Sequence, residues 1–193
     1  MKKLYVVGNR ASKSLSPTIF NYWFKKYNIK ASYGYLELTE KNFHKKINEV
    51  LEKKDTLGLN VTIPFKNKII KHLAKIDTHA KKIGAVNCVT NKKTLSGTNT
   101  DWTGYYKTLP DIKKTKNRKV IILGYGGASH AIHYVLKKRG FKDILIFNRS
   151  KKKIKYSNRT EYTKTYSDLE TYLEGVFLII NTTPINPILK KHL

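Results

Sequence analysis

Short β-branched runs alternate along the chain with amphipathic stretches, and that alternation predicts an α/β fold. Strands are expected over residues 4–8, 32–37, 56–63, 85–89, 120–124, 144–148 and 176–181. Helices are expected over 18–27, 42–52, 66–74, 127–139 and 168–172. The segment LGLNVTIPFKNKII, residues 57–70, shows what the pattern carries. Leu59, Val61 and Ile63 share one parity, Asn60 and Thr62 the other, Pro64 stops the strand, and Lys66 follows two residues later. Leu59, Val61 and Ile63 are expected to bury the strand, and Pro64 to turn the chain into the next helix.

A polar, basic stretch, PDIKKTKNRK at 110–119, separates two halves that each begin with a strand. It reads as a domain boundary, giving domains over 1–109 and 110–193. Composition supports packed domains rather than disorder, because 40% of residues are hydrophobic and 11% aromatic. The lone cysteine, Cys88, excludes an intramolecular disulfide, and no Cys/His cluster has zinc-ligand spacing. A reducing cytoplasm and a metal-free fold are therefore expected. No apolar run reaches membrane-spanning length, and the run after Lys2 and Lys3 breaks at Gly8-Asn9-Arg10, which fits a first strand better than a signal peptide. A formal charge of +26 raises the question of nucleic acid. Only five of the 39 basic residues are arginine (Arg10, Arg118, Arg139, Arg149, Arg159), and the lysines are scattered. The excess is read as solvated background that favours anionic small molecules, and no nucleic-acid or membrane partner is expected.

The second half carries a dinucleotide-site pattern. After the strand KVIILG comes GYGGASHAIHYVLKKRG and then a second strand, DILIFNRS. A Gly-rich turn between a buried strand and a helix lets backbone approach a pyrophosphate, and the helix N-terminus supplies unpaired N–H groups. Gly124, Gly126 and Ser129 depart from G-x-G-x-x-G only at the last position, where serine is still small enough for close packing. At the end of the second strand, Asn148, Arg149 and Ser150 precede Lys151, Lys152 and Lys153. Donors and positive charge there suit a 2′-phosphate, so the expected cofactor is NADP rather than NAD.

The first half carries compact polar residues at strand ends. Ser16 before Pro17 has the look of a helix N-cap with proline at the first helical position, which leaves Ser14 unexplained. Capping alone and a ligand site both account for this serine pair. Asn87, Asn99 and Asp101 lie at edges of apolar runs, where turn chemistry is the ordinary explanation for any one of them.

Seven segments, SLSPTIFN, NVTIPFK, GAVNCVT, GTNTDWTG, GYGGAS, NRS and NTTP, occur in an order and spacing that resembles the shikimate dehydrogenase family over essentially the whole chain. The resemblance implies an N-terminal α/β substrate-binding domain followed by a Rossmann-type NADP-binding domain. It implies the NADP-linked interconversion of 3-dehydroshikimate and shikimate in aromatic amino-acid biosynthesis. By it, Ser14 and Ser16 would hold the substrate carboxylate and Thr62 would assist at the substrate. Lys66 and Asp101 would form the catalytic pair, with Asn87 and Asp101 on substrate hydroxyls. Gly124, Gly126, Gly127, Ala128 and Ser129 would form the phosphate loop, Asn148, Arg149, Ser150 and Lys153 would surround the 2′-phosphate, and Thr182 would lie near the nicotinamide. A lysine beside an aspartate suits this chemistry, since hydride addition to a ketone makes an oxyanion that needs a proton.

The chain also departs from the family pattern. Phe20 stands where the family commonly has histidine, and Ile185-Asn186-Pro187 lacks a glycine often found there. The expected later strands of the cofactor sheet, a segment with a substrate-binding glutamine and C-terminal helices are absent, so a fragment or truncated, incomplete Rossmann domain is expected. The alternatives are an NAD-using quinate/shikimate dehydrogenase, which an acidic residue near position 149 would suit better, and a non-catalytic substrate-binding relative. Whether the chain forms a homodimer stays open.

Overall fold

The computed structural model describes residues 1–109, 117–154 and 161–183. Its contacts divide the chain into two compact units, Met1–Thr100 and Asp101–Leu193. Most of the polar segment read as a boundary, residues 110–116, lies outside the described residues.

In the N-terminal unit, strands β1 (Lys2–Gly8), β2 (Ala31–Glu37) and β3 (Thr56–Val61) alternate with helices α1 (Ser16–Lys26) and α2 (Phe43–Leu51). These strands pair in parallel, with β1 between β2 and β3. Beyond them come β4 (Lys75–Ile76), α3 (Thr78–Ile83), β5 (Cys88–Asn91) and β6 (Leu95–Thr98), which complete one six-stranded sheet in the order β2-β1-β3-β5-β6-β4. The period-two pattern sorts the two faces. Val7, Leu59 and Val61 pack with Phe43, Ile47, Phe65 and Ile69 on one side, while Val6 and Tyr33 face the aromatic side of α1 on the other.

Several expectations shift here. Residues 66–74 do not form a helix: only Ile69–His72 coil, as a 3-10 turn. Phe65 explains the shortening, because its ring is fully buried and stacked on Phe43 at 4.2 Å and 12°, so packing fixes the chain where periodicity suggested a helical start. Strand β3 ends at Val61, and Ile63 is exposed rather than buried, because Phe65 N–H turns back to the Thr62 carbonyl. The strand expected over 85–89 begins only at Cys88. Helix α3 was missed although its ends are well marked: Asp77 accepts from the N–H groups of His79 and Ala80, and Gly84 closes it at φ 68°.

In the C-terminal unit, α4 (Asp101–Thr108) precedes β7 (Lys119–Leu123), α5 (Gly127–Lys138), β8 (Ile144–Phe147) and β9 (Val176–Asn181). The three strands form a parallel sheet in the order β8-β7-β9, the core of a Rossmann-like arrangement. The turn of residues 168–172 is two 3-10 segments, Tyr166–Asp168 and Glu170–Tyr172, rather than a helix. Helix α4 belongs with this unit because Arg139, at the end of α5, donates to the carbonyl of Tyr106 at 3.0 Å and lies over its ring. Together these contacts place the division between units ahead of α4.

Two outcomes follow from the packing. Phe65→Ala should lower the unfolding free energy by about 3–5 kcal/mol in urea titrations, since it removes a buried ring from a stacked pair. His133 on α5 is nearly buried, and desolvation, helped by Lys137 and opposed by Glu161, lowers its pKa from 6.5 to about 4. The unfolded chain then binds more protons than the folded one in that window, so stability is full above pH 6.5 and falls as pH drops towards 4. The loss should be about 3 kcal/mol, and His133→Gln should flatten that part of the pH–stability curve.

Candidate functional site

In the N-terminal unit the polar residues gather at the carboxyl ends of β1, β2 and β3. The β1–β3 ladder continues past the end of β3: Thr62 N–H donates to the Val7 carbonyl at 2.8 Å, and Asn9 N–H to the Ile63 carbonyl at 3.1 Å. Asn60 and Thr62, two residues apart on this extended backbone, therefore point to the same side. The loop before α1 is fastened from the neighbouring strand end, where Glu37 accepts from both the N–H and the hydroxyl of Ser12. Those bonds hold the Glu37 carboxyl below the usual carboxylate range.

The serine pair behaves differently from its sequence reading. Ser16 is the first residue of α1 and not its cap; Leu15 occupies the cap position, with no side-chain capping bond. Ser14 does the local bonding instead, its hydroxyl accepting from Ser16 N–H at 3.2 Å. The phenol of Tyr33 donates to Asn60 Oδ1 at 2.6 Å.

Asn87 is fixed on both its backbone and its side chain. Its carbonyl accepts from Val61 N–H at 2.9 Å, and its N–H donates to the Thr98 carbonyl. Its side-chain oxygen accepts from Thr100 N–H at 2.8 Å while its amide donates to Thr100 Oγ1. Asn99 is buried and donates to the Ala85 carbonyl, so its role is to brace the GAVN turn. The backbone of Lys66 is tied to the same turn, its carbonyl accepting from Val86 N–H at 2.7 Å. Asn60 is thus bonded to the backbone of Asn87 and Lys66 is tied to the turn that carries it, while Ser14 and Ser16 lie in the same unit at the start of α1. Asn60 and Tyr33 are the members that the sequence-level site missed. The alternation in β3 pointed to Asn60, but nothing local pointed to Tyr33, which reaches it from β2.

Asp101 is the first residue of α4 and belongs to the C-terminal unit, as do all the expected cofactor residues. Gly124 follows β7 at φ 98°, and a Cβ there would lie 2.6 Å from Thr182 Oγ1, so both the conformation and the neighbour require glycine. Thr182 is held that close because its hydroxyl and its N–H both donate to the Leu123 carbonyl, at 2.7 and 2.8 Å. Gly126 is the contrasting case. It is exposed, at an ordinary negative φ of −111°, and a Cβ there would meet nothing within 4 Å. It also caps α5 without any side-chain bond, so the N–H groups of the first turn have no side-chain cap. The protein's own packing does not demand this glycine, but a group seated against the loop would.

Gly127 and Ala128 form the first turn of α5, and Ser129 is fully buried, as its small size allows. The Ser129 hydroxyl has no hydrogen-bond partner among the described residues. At the end of β8, the Asn148 amide donates to the Ser150 carbonyl at 3.0 Å, shaping a turn that leaves Arg149, Ser150 and Lys153 exposed. Thr163, buried and distant in sequence, secures this turn: its hydroxyl accepts from Lys152 N–H at 2.9 Å and donates to the Ser150 carbonyl. The result is an exposed cluster of donors and positive charge in the same unit as an uncapped helix start. Among the described residues, no group of three or more His, Cys, Asp or Glu is placed to hold a metal ion, and no helix is long and apolar enough to cross a membrane.

Residues 6–89 match the family model for the shikimate dehydrogenase substrate binding domain, and residues 107–192 match that for shikimate / quinate 5-dehydrogenase. A shikimate dehydrogenase (NADP(+)) of Staphylococcus aureus strain Newman is 37% identical over 94% of this chain and 68% of its own. Among solved structures, shikimate dehydrogenase 1 of Peptoclostridium difficile superposes with a TM-score of 0.82 at 30% identity, covering 97% of this chain and 70% of its own. Shikimate 5-dehydrogenase of Thermus thermophilus, solved with NADP(H) and shikimate, gives a TM-score of 0.65 at 27% identity over 78% of this chain and 57% of its own. The order of the motifs, the two units and these matches agree: the chain belongs to the shikimate dehydrogenase family.

Proposed function

We propose that this chain interconverts 3-dehydroshikimate and shikimate, with NADP as its redox partner, in the cytoplasmic route to aromatic amino acids. The observation that carries the reading is the loop at Gly126: an exposed glycine with open space at its Cβ position, at the uncapped start of a helix of 12 residues. A pyrophosphate seated there would meet backbone N–H groups and the positive end of the helix dipole.

The residues present fit that cofactor. Gly124, Gly126, Gly127 and Ala128 would line its pyrophosphate, and buried Ser129 would keep the helix close to the sheet. Asn148, Arg149, Ser150 and Lys153 would surround its 2′-phosphate, Arg149 with a planar fork suited to phosphate oxygens. Thr182, held against the end of β7, would border its nicotinamide end. When bound, the reduced cofactor supplies a hydride. The functional division at 1–109 and 110–193 assigns substrate binding to the first segment and cofactor binding to the second.

Everything else in the reaction is work for the protein's own side chains. Ser14 and Ser16 hold the substrate carboxylate, which fixes the ring. Asn87, its amide already oriented by Thr100, and Asp101 take the ring hydroxyls, and Thr62 lines the same floor. Lys66 holds a proton at Nζ and gives it to the carbonyl oxygen as charge develops there; Asp101 supplies the carboxylate of that acid–base chemistry. In the reverse direction Lys66 takes the proton back. The basic surface supports the same reading, because both ligands are anions.

The direct test is reduction of NADP+ by shikimate, followed spectrophotometrically with the purified chain. Lys66→Ala should lower kcat by about 10²- to 10⁴-fold while shikimate still binds. Turnover at the parent rate in that variant would remove the lysine from the mechanism. Arg149→Asp should weaken NADP+ binding by about 10- to 100-fold in calorimetric titrations and leave NAD+ binding no weaker. An unchanged preference for NADP+ would sink the assignment of the 2′-phosphate to this turn.

A further inference from the structure

Tyr33 sits in the middle of β2, paired with Leu4 of β1, and is 3% exposed. Three separate holds fix it. Asn21 of α1 clasps its backbone, the amide donating to the Tyr33 carbonyl at 2.8 Å and the amide oxygen accepting from Tyr33 N–H at 2.9 Å. Phe20, next to Asn21, stacks on the ring with centroids 4.6 Å apart and planes 9° from parallel. At the far end, the phenol donates to Asn60 Oδ1 at 2.6 Å. Burial, reinforced by nearby Cys88 and opposed by Ser16, pushes the phenol pKa up to about 12, so the hydroxyl keeps its hydrogen at every working pH.

Such a hydroxyl has one hydrogen to give, and giving it to Asn60 decides how that amide faces. With Oδ1 engaged, Nδ2 is directed toward the Asn87 carbonyl, 3.5 Å away, and a ligand above β3 meets an amide of fixed orientation. We propose that Tyr33 is a positioning residue for substrate binding: it fixes how the Asn60 amide of the polar row Asn60–Thr62 faces at the end of β3. The inference rests on the substrate reading of these residues given above. It assigns a role to Phe20 and Asn21 of α1 as well, since a strand tyrosine can hold an amide in one orientation only if its own ring and backbone cannot move.

A residue of this kind acts through others, so its loss should weaken substrate binding and spare the chemical step. Tyr33→Phe keeps the stacked ring and removes only the hydroxyl. In the shikimate–NADP+ assay it should raise the KM for shikimate about 10-fold, with kcat within about threefold of the parent and the KM for NADP+ unchanged. The double variant Tyr33→Phe/Asn60→Ala should bind shikimate no worse than Asn60→Ala alone, because the two act in series. Additive losses, or a fall in kcat at constant KM, would overturn the proposal. A second readout does not need turnover. The Asn60 side-chain amide resonances, identified by their disappearance in Asn60→Ala, should shift and narrow their proton–proton separation in Tyr33→Phe, while backbone amides away from β2 and β3 stay in place. If the parent chain does not bind shikimate, the functional reading fails; the NMR comparison still decides whether Tyr33 orients Asn60, and unmoved amide resonances would end the inference by themselves.

Discussion

The alternation of Leu59, Asn60 and Val61 at the end of β3 is the constraint from which the N-terminal site follows. Leu59 and Val61 are each 2% exposed and belong to the core with Phe43 and Phe65. That burial admits no slip of register, since moving by one residue would send both into the opposite face and bring Asn60 into the core. Asn60 and Thr62 are therefore held on the other face by the cost of misplacing their neighbours rather than by any preference of their own. The same register continues through the Thr62–Val7 and Asn9–Ile63 bonds, so the loop leading to Lys66 starts from a determined point. Phe65 then fixes the chain a second time, one residue before the lysine, and Ile69 a third time after it.

A lysine so confined differs from most others in the chain. Most of the 39 basic residues sit on solvated faces, where a long flexible side chain has many rotamers and a weak preference among them. Lys66 has buried residues on both sides and a carbonyl bonded to Val86. Ordering its backbone in advance reduces what remains to be ordered when a substrate arrives. Net charge says nothing about this distinction. Position in a packed turn makes it.

Much of this was legible in the sequence because the signals are local. The β-branched runs at β1, β7, β8 and β9, the alternating tyrosines of β2 and the amphipathic spacing of α2 and α5 are read directly from neighbouring residues, and the glycine turn after β7 stands between the elements its function requires. Where tertiary packing overrides local preference, the reading failed. Residues 66–74 have a helical spacing, yet the Phe43–Phe65 stack and the bond from Val86 to Lys66 leave room for a 3-10 turn only. The β5–β6 pair has only four residues per strand, too short for a period to register, and β6 and α4 were hidden inside a segment read only as polar turns. Ser16 before Pro17 has the local look of a cap, but Leu15 holds that position, and the phenol that orients Asn60 comes from Tyr33, 27 positions away in the chain. Contacts at that separation leave no imprint on the local pattern.

The two glycines of the β7–α5 loop show how a structure separates what a sequence motif merges. In the motif they are equivalent letters. Gly124 is needed by the protein itself, because φ 98° and the approach of Thr182 exclude a side chain whether or not anything is bound. Gly126 has room for a side chain and a backbone conformation that any residue adopts, so stability gives no reason for its identity. A glycine at the start of a helix also forgoes the capping bond that serine or aspartate would make there, at a cost of about a few tenths of a kcal/mol. The reason for Gly126 therefore lies in the space left open above it. That space adjoins the N–H groups of the first helical turn, and a side-chain cap would have satisfied some of them internally. Leaving them uncapped would let the loop receive an anion, just as leaving Asn60 and Thr62 off the core would leave the end of β3 open to a polar ligand.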